Sequence, residues 1–398
     1  MEEHYKLISG IIVPIIIAII GIFKFRSWIK KNNVIKGNNN AMLIAEKDIR
    51  NSHSFNTVNQ SGGVIQITGD NNQVGNFDMK MVQRLAHELN AMNYPYAERA
   101  FGKFQLNSQG FLSKFNSQIE QLSPSELDKF SEVDVQKALY KAIQGAGGTS
   151  SVQIHEILSQ LVMDRVQQPK RVIAELAINE SIEVAAKLDV CLIKILALSF
   201  MFSKTKYIGL LNEDMLTKKL VMVVDEFKDL EASTSKFEYL EAISCGKVLQ
   251  FISSDLIKII SSNYPHLFLK KVSAQHVKDL ALPIHIQDIC FLKPENDTFE
   301  INPHVGLYLF DNVSNGFSFV IKDDAMKEQL KDFLNSNRLS EDEIKTFFLK
   351  IPNFESILKI WNGGGFPQFS LTAVGVVIGK AYLEQKKFGN YDINIWIN

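Results

Sequence analysis

Few stretches of this chain carry residue types that chemistry uses. His87-Glu88 begins like a zinc-hydrolase helix, in which two histidines one turn apart hold the metal and the glutamate acts as base. Position 91 is Ala, so the second ligand is missing. Ser244-Cys245-Gly246-Lys247 resembles the end of a phosphate-cradling loop, but the glycine required five positions before Gly246 is Glu241. His276 and His285 each have an aspartate three residues on, Asp279 and Asp288, a two-ligand spacing that recurs by chance and is interrupted here by Pro283. No nucleophile elbow and no dinucleotide glycine fingerprint occurs, and no motif implies a cofactor. Cys191, Cys245 and Cys290 are widely spaced among apolar neighbours and read as buried free thiols.

The elements that would position these residues are mostly helical. From Asp78 onward apolar residues recur at helical spacing, as in Val82, Leu85, Leu89 and Met92. This predicts a long helix or helix pair at the start of the body, with Pro95 as a possible kink. Ser123-Pro124-Ser125-Glu126 and Ser340-Glu341-Asp342-Glu343 are helix starts, and Gly145 to Gly148 is a helix end. Helices are expected near 151–167, 170–187, 189–203, 212–230 and 236–262, forming an α-helical array over 78–282. Beyond Pro283 the alternation in 299–303, 305–310 and 316–321 predicts strands. Helices then return at 324–335, 341–350 and 354–361, followed by a final strand in YDINIWI. The region 283–398 is therefore expected as a small α+β subdomain, its end resembling a winged helix.

The N-terminus differs in kind. Leu7 to Phe23 is an uncharged run of seventeen residues, about 26 Å as a helix, the short end of what a bilayer requires. It lacks the basic n-region and small-residue cleavage site of a signal peptide, so an uncleaved anchor is expected over 1–31. Lys24, Arg26, Lys30 and Lys31 follow the run and Lys6 precedes it. That asymmetry predicts an outward N-terminus and a cytoplasmic body tethered to the cell membrane. These residues, with Trp28, are the expected membrane-interface set, in contact with lipid. A second apolar run, Val190 to Phe202, has thirteen residues and contains Lys194; it is expected as a core helix.

Between anchor and body, 11 of the 45 residues from Asn32 to Asn76 are Asn. The stretches 41–45, 55–59 and 64–68 are strand-like, bounded by Gly or Asn. The segment is either a polar linker or, across residues 38–76, an oligomerisation collar in which strands pair between copies. Residues 78–398 hold 35 Lys or Arg against 39 Asp or Glu. That balance gives no electrostatic footprint for nucleic acid.

The stretches at 158–189, 195–202, 237–248 and 263–268, together with LTAVGVVIG and DINIWI near the end, resemble an uncharacterised bacterial family in which a Gly/Asp/Asn-rich segment precedes a helical domain. The resemblance implies a fold relationship and a bacterial source, and no activity. These readings together predict a non-enzymatic, single-pass membrane protein that self-associates and binds a cytoplasmic protein partner, with bacterial conflict such as phage defence as a context. The rivals are a membrane-attached nucleic-acid regulator using the C-terminal unit, and an enzyme whose site is assembled from distant residues.

Overall fold

Helix starts in this chain are written locally. Asp189, Asn212, Asp255 and Thr372 each accept a hydrogen bond from the backbone N–H three residues on, at 2.7, 2.9, 2.8 and 3.3 Å. Each satisfies a donor that a helix N-terminus otherwise leaves open. Ser340 and Glu343 form a reciprocal box, with Ser340 N donating to Glu343 Oε2 at 2.7 Å and Glu343 N donating to Ser340 Oγ at 3.3 Å.

The computed structural model describes residues 56–60, 63–67, 79–168, 172–250, 254–292, 297–311, 321 and 323–397. The described residues are mainly helical, 71% of them. The described helices are α1 (Met79–Ile119), α2 (Pro124–Asp128), α3 (Val133–Gly147), α4 (Val152–Gln167), α5 (Ile173–Ala185), α6 (Val190–Lys204), α7 (Glu213–Phe227) and α8 (Thr234–Ala242). They continue as α9 (Leu256–Asn263), α10 (Ala274–Asp279), α11 (Ile284–Cys290), α12 (Pro303–Asp311), α13 (Asp324–Ser336), α14 (Glu341–Leu349), α15 (Phe354–Gly364) and α16 (Ala373–Gln385). Three antiparallel two-stranded pairs accompany them: β1 (Asn56–Gln60) with β2 (Gly63–Ile67), β3 (Gly246–Val248) with β6 (Phe369–Leu371), and β4 (Val272–Ser273) with β5 (Thr298–Phe299).

At the centre lies α16, packed against α4, α5 and α6. Val377, Ile378, Ala381, Tyr382 and Leu383 are fully buried, as are Ile193, Ile195, Leu196 and Phe200 of α6. The run Val190 to Phe202 is thus a core helix, as expected. No helix among the described residues is long and apolar enough to cross a membrane. Gly375 and Gly379, one turn apart, let α16 approach its neighbours closely. A Cβ on Gly375 would overlap the Cys245 carbonyl oxygen, and one on Gly379 would lie 2.7 Å from that of Leu196.

Several expectations are corrected by the fold. The predicted helix over 236–262 is broken: Ser244 takes a left-handed φ of 63°, and Gly246–Val248 pairs with Phe369–Leu371. Residues 305–310 belong to helix α12, because Pro303 opens it and Asn302 Oδ1 accepts from His304 N at 3.1 Å. The final segment forms a 3₁₀ turn, Ile393–Ile395, in place of a strand, since Asp392 Oδ1 accepts from Asn394 N at 3.0 Å and Trp396 stacks edge-on against Phe200. Nor do the cores divide at residue 283. Residues 348–397 share one apolar core with 111–268, while a smaller core gathers Val272 to Leu334. Residues 55–59 and 64–68 were expected as strands and largely coincide with β1 and β2, which pair within one chain. The anchor, the interface residues Lys6, Lys24, Arg26, Trp28, Lys30 and Lys31, and the strand-like stretch 41–45 lie outside the described residues.

Close approach at α16 has a measurable consequence. Gly375→Ala destabilises by about 1–3 kcal/mol through overpacking, although helix propensity alone favours Ala by about 1 kcal/mol. Gly363, with nothing within 4 Å of a built Cβ, gives the opposite sign: Gly363→Ala is neutral or stabilising by up to about 1 kcal/mol. Urea unfolding of both variants reads the difference.

Candidate functional site

Helix α4 carries two adjacent charges, Asp164 and Arg165, inside the apolar run Leu161 to Val166, and both are buried. Successive residues on a helix point about 100° apart, so the two side chains serve different neighbours. Arg165 Nη2 donates to Asp134 Oδ2 on α3 at 2.5 Å and to Glu175 Oε1 on α5 at 2.6 Å. Asp164 Oδ2 accepts from Lys380 Nζ on α16 at 2.9 Å, and Lys380 also donates to Glu384 Oε2 at 2.7 Å. The chain of bonds extends at both ends. Gln160 Nε2 donates to Asp164 Oδ1 at 2.8 Å, and Tyr391 N donates to Glu384 Oε1 at 2.9 Å.

Burial works against the Lys380 ammonium, but the Asp164 and Glu384 carboxylates outweigh it and hold its pKa above the usual value. Glu384 is raised above the ordinary carboxylate range, first by burial and then by the nearby Asp164 charge, in spite of Lys380. A lysine held as ammonium donates hydrogen bonds and carries no lone pair for nucleophilic attack at neutral pH. A second network ties α16 to α7. Tyr382 donates its hydroxyl to Glu226 Oε1 at 2.5 Å, and Lys194 Nζ lies 2.9 Å from the same oxygen. Burial opposes the charge on Glu226, yet the bonds from Tyr382 and Lys194 prevail and hold its pKa low.

The Lys380 cluster opens onto a cleft of about 490 Å³, lined by Gln160, Asp164, Gln168, Lys380, Glu384 and Tyr391 among others. Two buried atoms there, Gln168 Oε1 and the Tyr391 hydroxyl oxygen, have no hydrogen-bond partner among the described residues. Burial, followed by the Glu384 charge, pushes the Tyr391 hydroxyl up to about 12. The cleft therefore combines fixed charges with unpaired polar atoms buried in its wall.

The residues singled out by sequence stand elsewhere. His276 and His285 are both exposed, and His276 Nδ1 faces Ser273 Oγ at 3.2 Å. Among the described residues no group of three or more His, Cys, Asp or Glu is placed to hold a metal ion. Ser244 to Lys247 forms a left-handed turn and the start of β3, with Gly246 set against the Phe369 ring. Burial pushes the Cys245 and Cys290 thiols up to about 12. Cys191 is only half-buried, with Lys236 Nζ 3.1 Å from its sulfur. Motif searches passed over Asp164, Arg165, Lys380 and Glu384. Their signal was a charge inside an apolar helical run, in LVMDRV and VVIGKAYLE.

Removing the central cation leaves two buried carboxylates uncompensated, so Lys380→Met costs about 3–5 kcal/mol at pH 7 in denaturant unfolding. That loss shrinks as pH falls, because the Glu384 carboxyl, raised in the folded state, takes up a proton before an ordinary carboxylate does. In the unsubstituted protein the Lys380 contribution is complete below its unfolded value of about 10.4. It is lost as pH rises through the higher folded value.

No curated protein and no solved structure matches the chain. The model of an uncharacterised family without a functional name matches residues 77–397, which take in α1, the Lys380 cluster and both apolar cores. The chain belongs to that family.

Proposed function

We propose that this chain is a membrane-tethered binding protein, without catalysis of its own, that self-associates and presents a rigid helical body to a cytoplasmic protein partner. The observation that carries the reading is the double clamp on α4. Arg165 draws together the first turns of α3 and α5, and Lys380 locks α16 to α4, with each cation held between two carboxylates. Buried charge networks of this kind specify one arrangement of helices more than they add stability. Beside the Arg165 clamp, next in sequence to Asp134 and Glu175, Val133 and Leu176 are 85% and 62% exposed. Apolar groups held in place on a surface favour protein contact.

The tether rests on the run Leu7 to Phe23 and its basic flank, and self-association on residues 38–76, within which β1 and β2 form a hairpin of five residues on each strand. A lone hairpin is marginal in water, which favours its pairing between copies. The nucleic-acid reading, a winged-helix-like C-terminal unit within 283–398 with Phe354 to Trp361 as its recognition helix, finds little support in α15. Phe354, Ile357 and Trp361 are buried, and the exposed Lys359 pairs with Glu355 at 3.4 Å, leaving that helix no spare cation for phosphate.

Expected behaviour is direct. The full chain sediments with the membrane fraction, deletion of residues 1–31 releases it, and mass photometry of the detergent-solubilised chain shows oligomers that are lost on deletion of 38–76. A monomer both with and without that segment removes self-association. Salt-dependent binding of the full chain to duplex DNA would establish the rival.

A further inference from the structure

A second concavity lies between the end of α6, helix α9 and the turn that precedes β6. It measures about 680 Å³, within the range that holds a cofactor-sized molecule. Its floor is apolar and rigid. Phe202, Trp361, Phe366 and Phe369 are all at least nine-tenths buried, with Trp361 stacked on Phe366 at 5.0 Å and set edge-on to Phe202 at 5.7 Å. Trp361 Nε1 is tied to the Ser254 carbonyl at 2.9 Å, which fixes the ring's orientation.

The rim has the opposite chemistry. Lys204, Lys206 and Lys258 line it, against a single carboxylate, Asp255. That carboxylate is engaged in capping α9, accepting from Lys258 N at 2.8 Å. Glu341 approaches Lys258 from outside at 3.0 Å, an exposed pair that an incoming anion can replace at little cost. Hydroxyls from Ser203, Thr205 and Ser262 complete the lining.

One atom in this lining is out of keeping with a structural role. Ser199 is 3% exposed and its hydroxyl has no hydrogen-bond partner among the described residues, although it lines the cavity. A buried hydroxyl left unpaired costs about 1–3 kcal/mol. Alanine at the same place would avoid that cost. An unpaired buried donor on a residue that lines a cavity with a cationic rim and an apolar aromatic floor is explained by a guest that bonds to it once the site is occupied.

We propose that this cavity is a binding site for a nucleoside phosphate, with the planar base against the floor formed by Phe202 and Trp361, the phosphate at Lys204, Lys206 and Lys258, and a polar group of the ligand on Ser199 Oγ. The three ammonium groups select an anion over a cation or a metal ion. The aromatic floor selects a ligand with a flat apolar face over inorganic phosphate, and the volume accommodates a mononucleotide. The site is distinct from the Lys380 cleft and stands whether or not the chain is tethered to a membrane.

Isothermal titration of the purified full-length chain tests this with AMP, GMP, adenosine and inorganic phosphate as separate probes. A mononucleotide binds, at least tenfold tighter than either adenosine or phosphate alone, and the binding weakens as salt is raised. Lys204→Ala combined with Lys206→Ala, both at exposed positions, weakens it by about tenfold or more with an unchanged melting temperature, as expected for loss of charge-assisted bonds. Ser199→Ala separates a ligand site from a packing site: it raises the melting temperature of the unliganded chain and weakens nucleotide binding. No binding of either mononucleotide at millimolar concentration overturns the proposal. So does binding that inorganic phosphate matches, or binding that both the lysine and the serine variants leave unchanged.

Discussion

The fold turns on one ammonium group. Lys380 sits in the middle of the apolar helix α16 and is buried with it, so the core can close only if that charge is met inside the protein. Asp164 and Glu384 meet it at 2.9 and 2.7 Å. Burial lifts Glu384 first and the Asp164 charge adds to it, while the two carboxylates together hold Lys380 charged. The pairing also sets the rotation of α16 relative to α4. A helix apolar nearly all round has little in its periodicity to select one facing over another, and the charge supplies that choice.

The same helix imposes a topological constraint. It closes the core that begins at Phe111, and Lys380 and Asp164 are 216 residues apart in sequence. Strand β6, directly before α16, pairs with β3, and Thr372 then caps the helix while donating its hydroxyl to the Ser244 carbonyl at 2.6 Å. The left-handed turn at Ser244, the short sheet and the glycine face at Gly375 are therefore parts of one joint. The smaller core from Val272 to Leu334 lies outside it and interrupts the large core in sequence without dividing it in space.

Charge is arranged in contrasting ways in the buried networks and at the cavity beside the end of α6. In the networks, cations and anions neutralise one another, through Lys194 with Glu226 and Lys380 with Asp164. At the cavity, three lysines outnumber the one carboxylate of the lining.

Much of the helical framework was legible in the residues because helix ends are decided within one turn. Ser340 with Glu343 and the glycines at the end of α3 act on neighbours three or four positions away. The thirteen-residue apolar run was also legible as a core helix, since its length and Lys194 argue against a bilayer on sequence alone. Elsewhere the deciding partner was remote. Residues 246–248 became a strand because Phe369–Leu371 lies beside them, the 391–397 segment became a turn locked onto α6 through Trp396 and the Lys204 carbonyl, and residues 348–397 joined the first core. Asp164, Arg165, Lys380 and Glu384 were visible only as charges in apolar runs. Local composition and spacing determined most of the helical segments and that the body carries no net footprint for nucleic acid; tertiary structure alone decided which charges meet and which line a cavity, because those outcomes depend on contacts between residues as far as 216 positions apart.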